Sequence, residues 1–348
     1  MSKPKISLVV GNGLSMSFGH FSGLAREWNT QEPISWNISC PSAGNAFLDS
    51  LPRLKVLAER YQSVSDFEIF AKALNKNVCE EHNIDVFITP LEARHFLTIA
   101  FSIYALEQMR ILKSHRAWPW YNWIKLHNNE IRSAISLNYD LLLESIFDDL
   151  KKQYFSLQIN HHGYGIPLVK PHGSVDFEIA PNSISYSASY PLTNFVDLND
   201  SQIIRLDRDN LVYPRSQPLC IIPNEASKYT NYQWVARANK LFNEELVVCT
   251  HCVFIGISYF PCDRPEIDAI IESLPKSAQI IVANPNPPAE FMEKIKGRPV
   301  LVWDSYDGPV DKNGNLLVLK NIKTGNKLVN CFCGSGLSYH YCCGDQLL

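Results

Sequence analysis

The apolar run Ala134-Ile135-Ser136-Leu137 stops at Asn138-Tyr139-Asp140, and the helix-like run Leu141-Leu142-Leu143-Glu144-Ser145-Ile146-Phe147 begins at once. No loop fits between them. Asn138 and Asp140 are therefore placed where a buried strand ends and a helix begins. About thirty residues on, Lys170-Pro171-His172-Gly173-Ser174 follows a second apolar run, Ile166-Pro167-Leu168-Val169. In open α/β sheets that carboxyl edge of the strands is where ligands bind. An amide, a carboxylate and an imidazole delivered to it make a nucleotide site the first functional expectation.

Similar short apolar runs recur at Ile6 to Val10, Val253 to Gly256, Gln279 to Ala283 and Val300 to Trp303. They have the character of strands covered on both faces. Helical spacing separates several of them, over Asp140 to Lys152, Tyr232 to Phe242 and Arg264 to Leu274. This alternation predicts an α/β fold with a Rossmann-like, mostly parallel, doubly wound sheet. Residues from about 20 to 130 read as a large, mostly helical insertion, with apolar residues at three-to-four spacing over Leu54 to Tyr61, Asp66 to Leu74 and Leu91 to Leu112. The aromatic cluster Trp118-Pro119-Trp120-Tyr121-Asn122-Trp123 is assigned to core or subunit packing rather than to base stacking. Residues 178 to 230, rich in Ser, Asn, Asp, Tyr and Pro, read as a long irregular excursion. A boundary is expected near 305 to 325, giving a catalytic domain over 1–305, a linker over 306–325 and a small module over 326–348.

Composition narrows the class. A net charge of −3 argues against a chain built mainly to coat nucleic acid. No apolar run approaches the roughly 18 residues needed to span a bilayer, and the apolar stretch before Gly11 is too short for a signal peptide. The expectation is a soluble, cytoplasmic protein with no membrane contact. Ten cysteines without an export signal suggest metal ligation in a reducing compartment, because four of them crowd into the last eighteen residues. Cys249 and Cys252 form a C-x-x-C inside the strand candidate Val247 to Ile257, and buried core cysteines are the better reading.

Gly11-Asn12-Gly13-Leu14-Ser15 follows the first strand, where glycines let a phosphate approach backbone N–H groups and Ser15 can cap the next turn. Gly256-Ile257-Ser258 makes a similar turn after a later strand, and Asn284-Pro285 ends the next. Taken in order, Gly11 to Ser15, Asn138-Tyr139-Asp140, His172-Gly173, Gly256 to Ser258 and Asn284 resemble the sirtuin-like superfamily over about residues 6 to 305. The resemblance is nearest to its bacterial branch in anti-phage defence. It implies a Rossmann-like sheet binding NAD, with Asn138 and His172 as the catalytic pair. It further implies Gly11, Asn12, Gly13 and Ser15 along the cofactor phosphates and ribose, and Gly256, Ser258 and Asn284 toward the adenosine end. Sirtuin deacylases typically carry Gly-Ala-Gly in the first turn, a Gln-Asn pair and a zinc ribbon after the His. This chain has Asn12 for Ala, Leu137 for Gln, and no ribbon between His172 and Gly256. The resemblance thus implies hydrolysis of NAD, as in the defence branch, rather than lysine deacylation.

The chemistry agrees. Nicotinamide leaves NAD as a neutral base, so no acid need protonate it; the site must stabilise a cationic ribose and present a nucleophile. The Asn138 amide can orient a water or hold a ribose hydroxyl. His172 can take a proton, which typically contributes about 10²–10⁴-fold. Asp140 is read equally as negative charge near the developing cation and as a helix cap. His161 and His162 are assigned to outlying positions, and Asp263 to the cap of the helix that starts at Arg264, with a ribose contact as its alternative.

The tail Cys331-Phe332-Cys333-Gly334-Ser335-Gly336-Leu337-Ser338-Tyr339-His340-Tyr341-Cys342-Cys343 supplies four thiolates, from Cys331, Cys333, Cys342 and Cys343, for a closed tetrahedral zinc site. His340 is a competing ligand. The run resembles the SEC-C zinc motif, which implies structural zinc and docking to a protein or, with weaker support from Lys312, Lys320, Lys323 and Lys327, to nucleic acid. The whole reads as an NAD-cleaving effector, kept in check by oligomer state, partner or ligand. Its rivals are a non-catalytic NAD or ADP-ribose sensor, and a protein ADP-ribosyltransferase or deacylase, which needs a peptide groove.

Overall fold

The structure is a computed structural model that describes residues 3–39, 46–160, 162–180, 202–213, 215, 217–222 and 232–319. Its centre is a seven-stranded, wholly parallel sheet. The strands are β1 (Ile6–Val10), β2 (Ile131–Ser136), β3 (Tyr154–Ser156), β4 (Ile166–Val169), β8 (His251–Ile255), β9 (Gln279–Ala283) and β10 (Val300–Trp303). Their order is β10-β9-β8-β1-β2-β4-β3. From β1 the chain moves through β2 to the edge strand β3 and steps back to β4, then returns to build β8, β9 and β10 outward on the other side. The switch point therefore lies between β1 and β8.

Alternation along each strand sorts its side chains into two cores. Ile6, Leu8 and Val10 face α1 (Gly13–Ser22), α6 (Pro119–Leu126) and α7 (Leu142–Asp149). Val9, Phe254, Ile280 and Val282 face α8 (Gln233–Leu246), α9 (Arg264–Ser273) and α10 (Ala289–Lys294). With both faces covered, β1 is buried at all five positions, four apolar and one, Ser7, with its hydroxyl paired to Ser133 Oγ. Each apolar side chain contributes about 1.5–3 kcal/mol on burial.

The insertion adds α2 (Pro52–Arg60), α3 (Asp66–Ala73), α4 (Lys76–Glu81) and the long α5 (Ile88–Leu112). These pack into a third core that also takes in Tyr139, Leu141 and Val175. Residues 27 to 46, expected to be mostly helical, are without a helix where described. Instead Asn29 Oδ1 accepts from the N–H groups of Gln31 and Glu32, and Trp36 stacks on Phe96. Trp118, Trp120 and Trp123 are core residues, as expected.

Two expectations are corrected. The strand proposed from Val247 starts only at His251: α8 runs to Leu246 and leaves Val247 and Val248 exposed. Cys249 and Cys252 are nonetheless buried and free. The excursion after 178 is not wholly irregular. β6 (Ile203–Arg205) and β7 (Pro218–Cys220) flank β5 (Gly173–Ile179) in a separate antiparallel sheet. Strands of three residues are too short to show alternation, and their partner β5 is distant in sequence.

Of the expected linker, residues 306–319 lie against the main body: Val310 bridges Leu316, Leu319 is buried, and Leu316 and Leu317 pack on the first core. The expected zinc ligands Cys331, Cys333, Cys342 and Cys343, with His340, lie outside the described residues, as does His161. Among the described residues no helix is long and apolar enough to cross a membrane.

Candidate active site

Strand register assembles the site. Val10 pairs with Ser136 on one side and Ile255 on the other, and Ile255 pairs with Ala283. The ladder continues one step beyond the strands: Leu137 N–H donates to Val10 O, Gly11 to Ile255 O, Gly256 to Ala283 O and Asn284 to Trp303 O. Four strand ends thus finish level, and the predicted motifs leave the sheet side by side.

The glycines have a steric reason to be there. A Cβ on Gly13 would sit 2.3 Å from Gly256 Cα, and Gly256 itself has φ of 56°. The N–H groups of Gly11 and Gly13 are given to Ile255 O and Gly256 O. These donors, expected to receive phosphate, are thus committed to holding the β1 and β8 turns together. Asn12 turns its amide to the carbonyls of Thr30 and Gln31, and Asn284 donates to Ile257 O at 3.0 Å. Both secure loops that border the site.

Behind these turns Asn138, Ser15 and Asp140 form one buried network. Asp140 accepts from Ser15 Oγ at 2.5 Å and from the N–H of Leu142 at 3.1 Å. One oxygen thus takes the first N–H of α7 from the position before its N-cap, Leu141, and the other orients a serine. Asn138 Nδ2 donates to Gly11 O at 3.1 Å and reaches Ser15 Oγ at 3.5 Å. Because the Gly11 carbonyl can only accept, the nitrogen end of the amide must face it. Among the described residues no donor meets Oδ1, the acceptor end of the amide. Tyr104 of α5 lies buried behind Asp140, and its phenol is pushed upward by burial first and by that carboxylate second, so it stays neutral.

His172 closes the other side. It stands in a turn from β4 to β5 that is drawn shut by Gly173 N–H to Lys170 O. Gly173 has φ of 79°, and a Cβ there would lie 1.7 Å from Leu219 O. The Nδ1 of His172 lies 3.0 Å from Leu137 O, the carbonyl immediately before Asn138. A carbonyl only accepts, so Nδ1 carries the proton and Nε2 is the basic nitrogen. Nε2 lies 3.7 Å from Asp263 Oδ1.

Asp263 is thus not the cap expected of it. It occupies the N-cap position of α9 but makes no side-chain cap bond. The signal was available: Pro265 stands at N2, where it supplies no N–H for a cap to bind. The carboxylate instead accepts from Ser258 Oγ at 3.4 Å and Cys262 Sγ at 3.3 Å. Burial, and then Asp263, push the Cys262 thiol up to about 12, so it is a donor and not a nucleophile.

Beneath the site lies Lys170, buried, which sequence reasoning left without a role. Its Nζ donates to the carbonyl oxygens of Tyr139 and Asp140. It stands 3.0 Å from Glu144 Oε1, an ion pair whose angle directs no well-formed hydrogen bond. Arg205, paired with Asp176, approaches the same oxygen at 3.9 Å. This ties the helix after Asn138 to the strand after His172. Among the described residues no His, Cys, Asp and Glu group is arranged to hold a metal.

No protein-family model matches the chain, and no curated protein matches it. Among solved structures, it is similar to a Sir2 protein bound to a propionylated peptide, at 11% identity over 87% of this chain and 88% of that one, with a TM-score of 0.35. A structure titled for the mechanism and regulation of Sir2 enzymes gives 11%, 87%, 88% and 0.37. A Sir2 complex with a peptide and NAD+ gives 12%, 88%, 89% and 0.31. At these scores the likeness lends nothing to the reading of the site, which stands on the side chains described above.

Proposed function

We propose that the chain cleaves NAD to nicotinamide and ADP-ribose, with Asn138 and His172 as the catalytic pair. The observation that carries this reading is their convergence: the His172 ring is seated on the Leu137 carbonyl, so its basic Nε2 and the acceptor Oδ1 of Asn138 belong to adjoining turns. The C1′–N bond of the ribosyl group breaks, and its electron pair leaves with nicotinamide, neutralising the pyridinium ring. Water adds its oxygen to C1′. Asn138 Oδ1 orients that water, and His172 Nε2 takes its proton before releasing it to solvent. Asp140, fixed by Ser15, places negative charge behind the cationic ribose. Gly11, Asn12, Gly13, Ser258 and Asn284 keep the bordering turns in place for the dinucleotide. Incubation of the full chain with NAD, followed by mass analysis, tests this. Nicotinamide and ADP-ribose in equal amounts, without any peptide, are expected. Binding with no cleavage under any condition supports a sensor instead, and product attached to a protein supports a transferase.

The motifs that resemble the anti-phage branch support a regulated effector, because uncontrolled NAD loss harms the cell that makes the enzyme. We assign control to oligomer state and to the cysteine-rich tail, with zinc held by Cys331, Cys333, Cys342 and Cys343. Metal analysis of the purified chain should give about one zinc per chain, lost on substitution of Cys331 and Cys333 by serine.

A further inference from the structure

We infer that Asp263 is a positioning residue for His172, acting as the carboxylate that receives the imidazolium formed when Nε2 takes up a proton. The inference rests on the hydrolase reading above and adds a third residue to it. Lys170 and Asp140 are each engaged with other groups. Lys170, two residues before His172, is directed onto Glu144 and the Tyr139 and Asp140 carbonyls. Asp140 is directed onto Ser15 and the Leu142 N–H. Asp263, with Oδ1 3.7 Å from Nε2, comes from the far side of the switch point, on the segment from Gly256 to Asp263.

That segment is shaped to deliver it. Gly256 and Tyr259 both take left-handed backbone conformations, with φ of 56° and 54°. For tyrosine this conformation is uncommon and carries strain. It is held by Tyr259 OH to Asp268 Oδ1 at 2.7 Å, by Arg264 Nε to Tyr259 O at 3.2 Å, and by packing on Phe291. Ser258 and Cys262 then steady the carboxylate as donors, while helix capping makes no demand on it. At 3.7 Å from Nε2 the carboxylate is slightly beyond hydrogen-bond range. That spacing suits a charge partner for a proton that arrives during the reaction. The arrangement is a water proton moving to Nε2, with Asp263 balancing the charge and Leu137 O holding Nδ1–H.

The test uses the full chain as wild type, Asp263→Asn, Asp263→Ala and His172→Ala. Asp263→Asn is expected to lower kcat for nicotinamide release about 10- to 100-fold with KM changed less than about twofold, the pattern of an interaction gained only in the transition state. Added formate is expected to restore part of the kcat of Asp263→Ala and none of His172→Ala. In ligand-free protein, the nitrogen-15 signal of His172 Nε2 is expected to move between wild type and Asp263→Asn, with the thermal midpoint unchanged. Wild-type kcat in Asp263→Asn overturns the assignment while leaving the hydrolase reading intact. If wild type binds NAD but releases no nicotinamide, the hydrolase reading fails. The nitrogen-15 signal then decides the Asp263–His172 pairing, and an unmoved Nε2 signal overturns it.

Discussion

Two turns meet at the carboxyl edge of the sheet, and they are built in opposite ways. The turn after β2 is buried: Asn138, Asp140 and Ser15 bond to one another, and Lys170 and Glu144 pair beneath them. The turn after β8 is more open, with Ser258 and Phe260 exposed and two residues in left-handed conformations. The first turn derives its geometry from burial and charge pairing, so it is rigid and costly to alter. The second derives its geometry from backbone shape and a few edge contacts. A site that needs a fixed acceptor and an accessible dinucleotide is served by having one of each.

If that contrast holds, substitutions beneath the first turn should cost stability and those on the second should cost mainly rate. The largest effect is expected from Lys170→Met, which strands the Glu144 carboxylate and should cost about 3–5 kcal/mol by denaturant titration. Its pH dependence has a definite sign. Burial, the dominant cause, raises the Glu144 carboxyl above its ordinary 4.5, opposed by Lys170 and Arg205. Stability tied to the protonated form is full below that ordinary value and is lost as pH rises through the raised, folded one. Removing Lys170 raises the folded value further, so the variant should lose more stability than wild type between pH 5 and pH 7. A variant equally stable at both pH values would show that the pair does not set the floor of the site.

Next comes Gly13→Ala, where a Cβ would meet Gly256 Cα at 2.3 Å of backbone. A loss of about 1–3 kcal/mol is expected, and a thermal midpoint at the wild-type value would separate the two turns after all. Ser15→Ala removes the hydroxyl between Asp140 and Asn138, and should cost about 0.5–1.5 kcal/mol together with a fall in kcat. Smallest of all, Ser258→Ala on the exposed turn should leave stability within about 0.5 kcal/mol of wild type. A larger loss there would erase the contrast.

How far the sequence reveals this depends on range. Strands covered on both faces announce themselves locally, so Gln279 to Ala283 and Val300 to Trp303 are found to the residue. The abrupt passage from Leu137 to Leu141 likewise places Asn138 and Asp140 at a strand end. What is not legible depends on distant partners. The strands Ile203–Arg205 and Pro218–Cys220 exist only through pairing with Gly173–Ile179. Lys170 has no legible role until Glu144, 26 positions earlier, is brought beneath it. Asp263 reads as a cap because helix starts usually want one, and only Pro265 hints otherwise. Gly13 shows the converse: a glycine after a strand suggests room for a phosphate, and its close contact with a second glycine, on β8's turn, is invisible in sequence.

The central claim is that Asn138 and His172 together cleave NAD, and the most direct measurement is nicotinamide release by Asn138→Ala and His172→Ala beside wild type. Wild type should release nicotinamide, and each variant should lose about 10²–10⁴-fold or more of that rate with its thermal midpoint close to wild type. Full turnover in both folded variants would contradict the account.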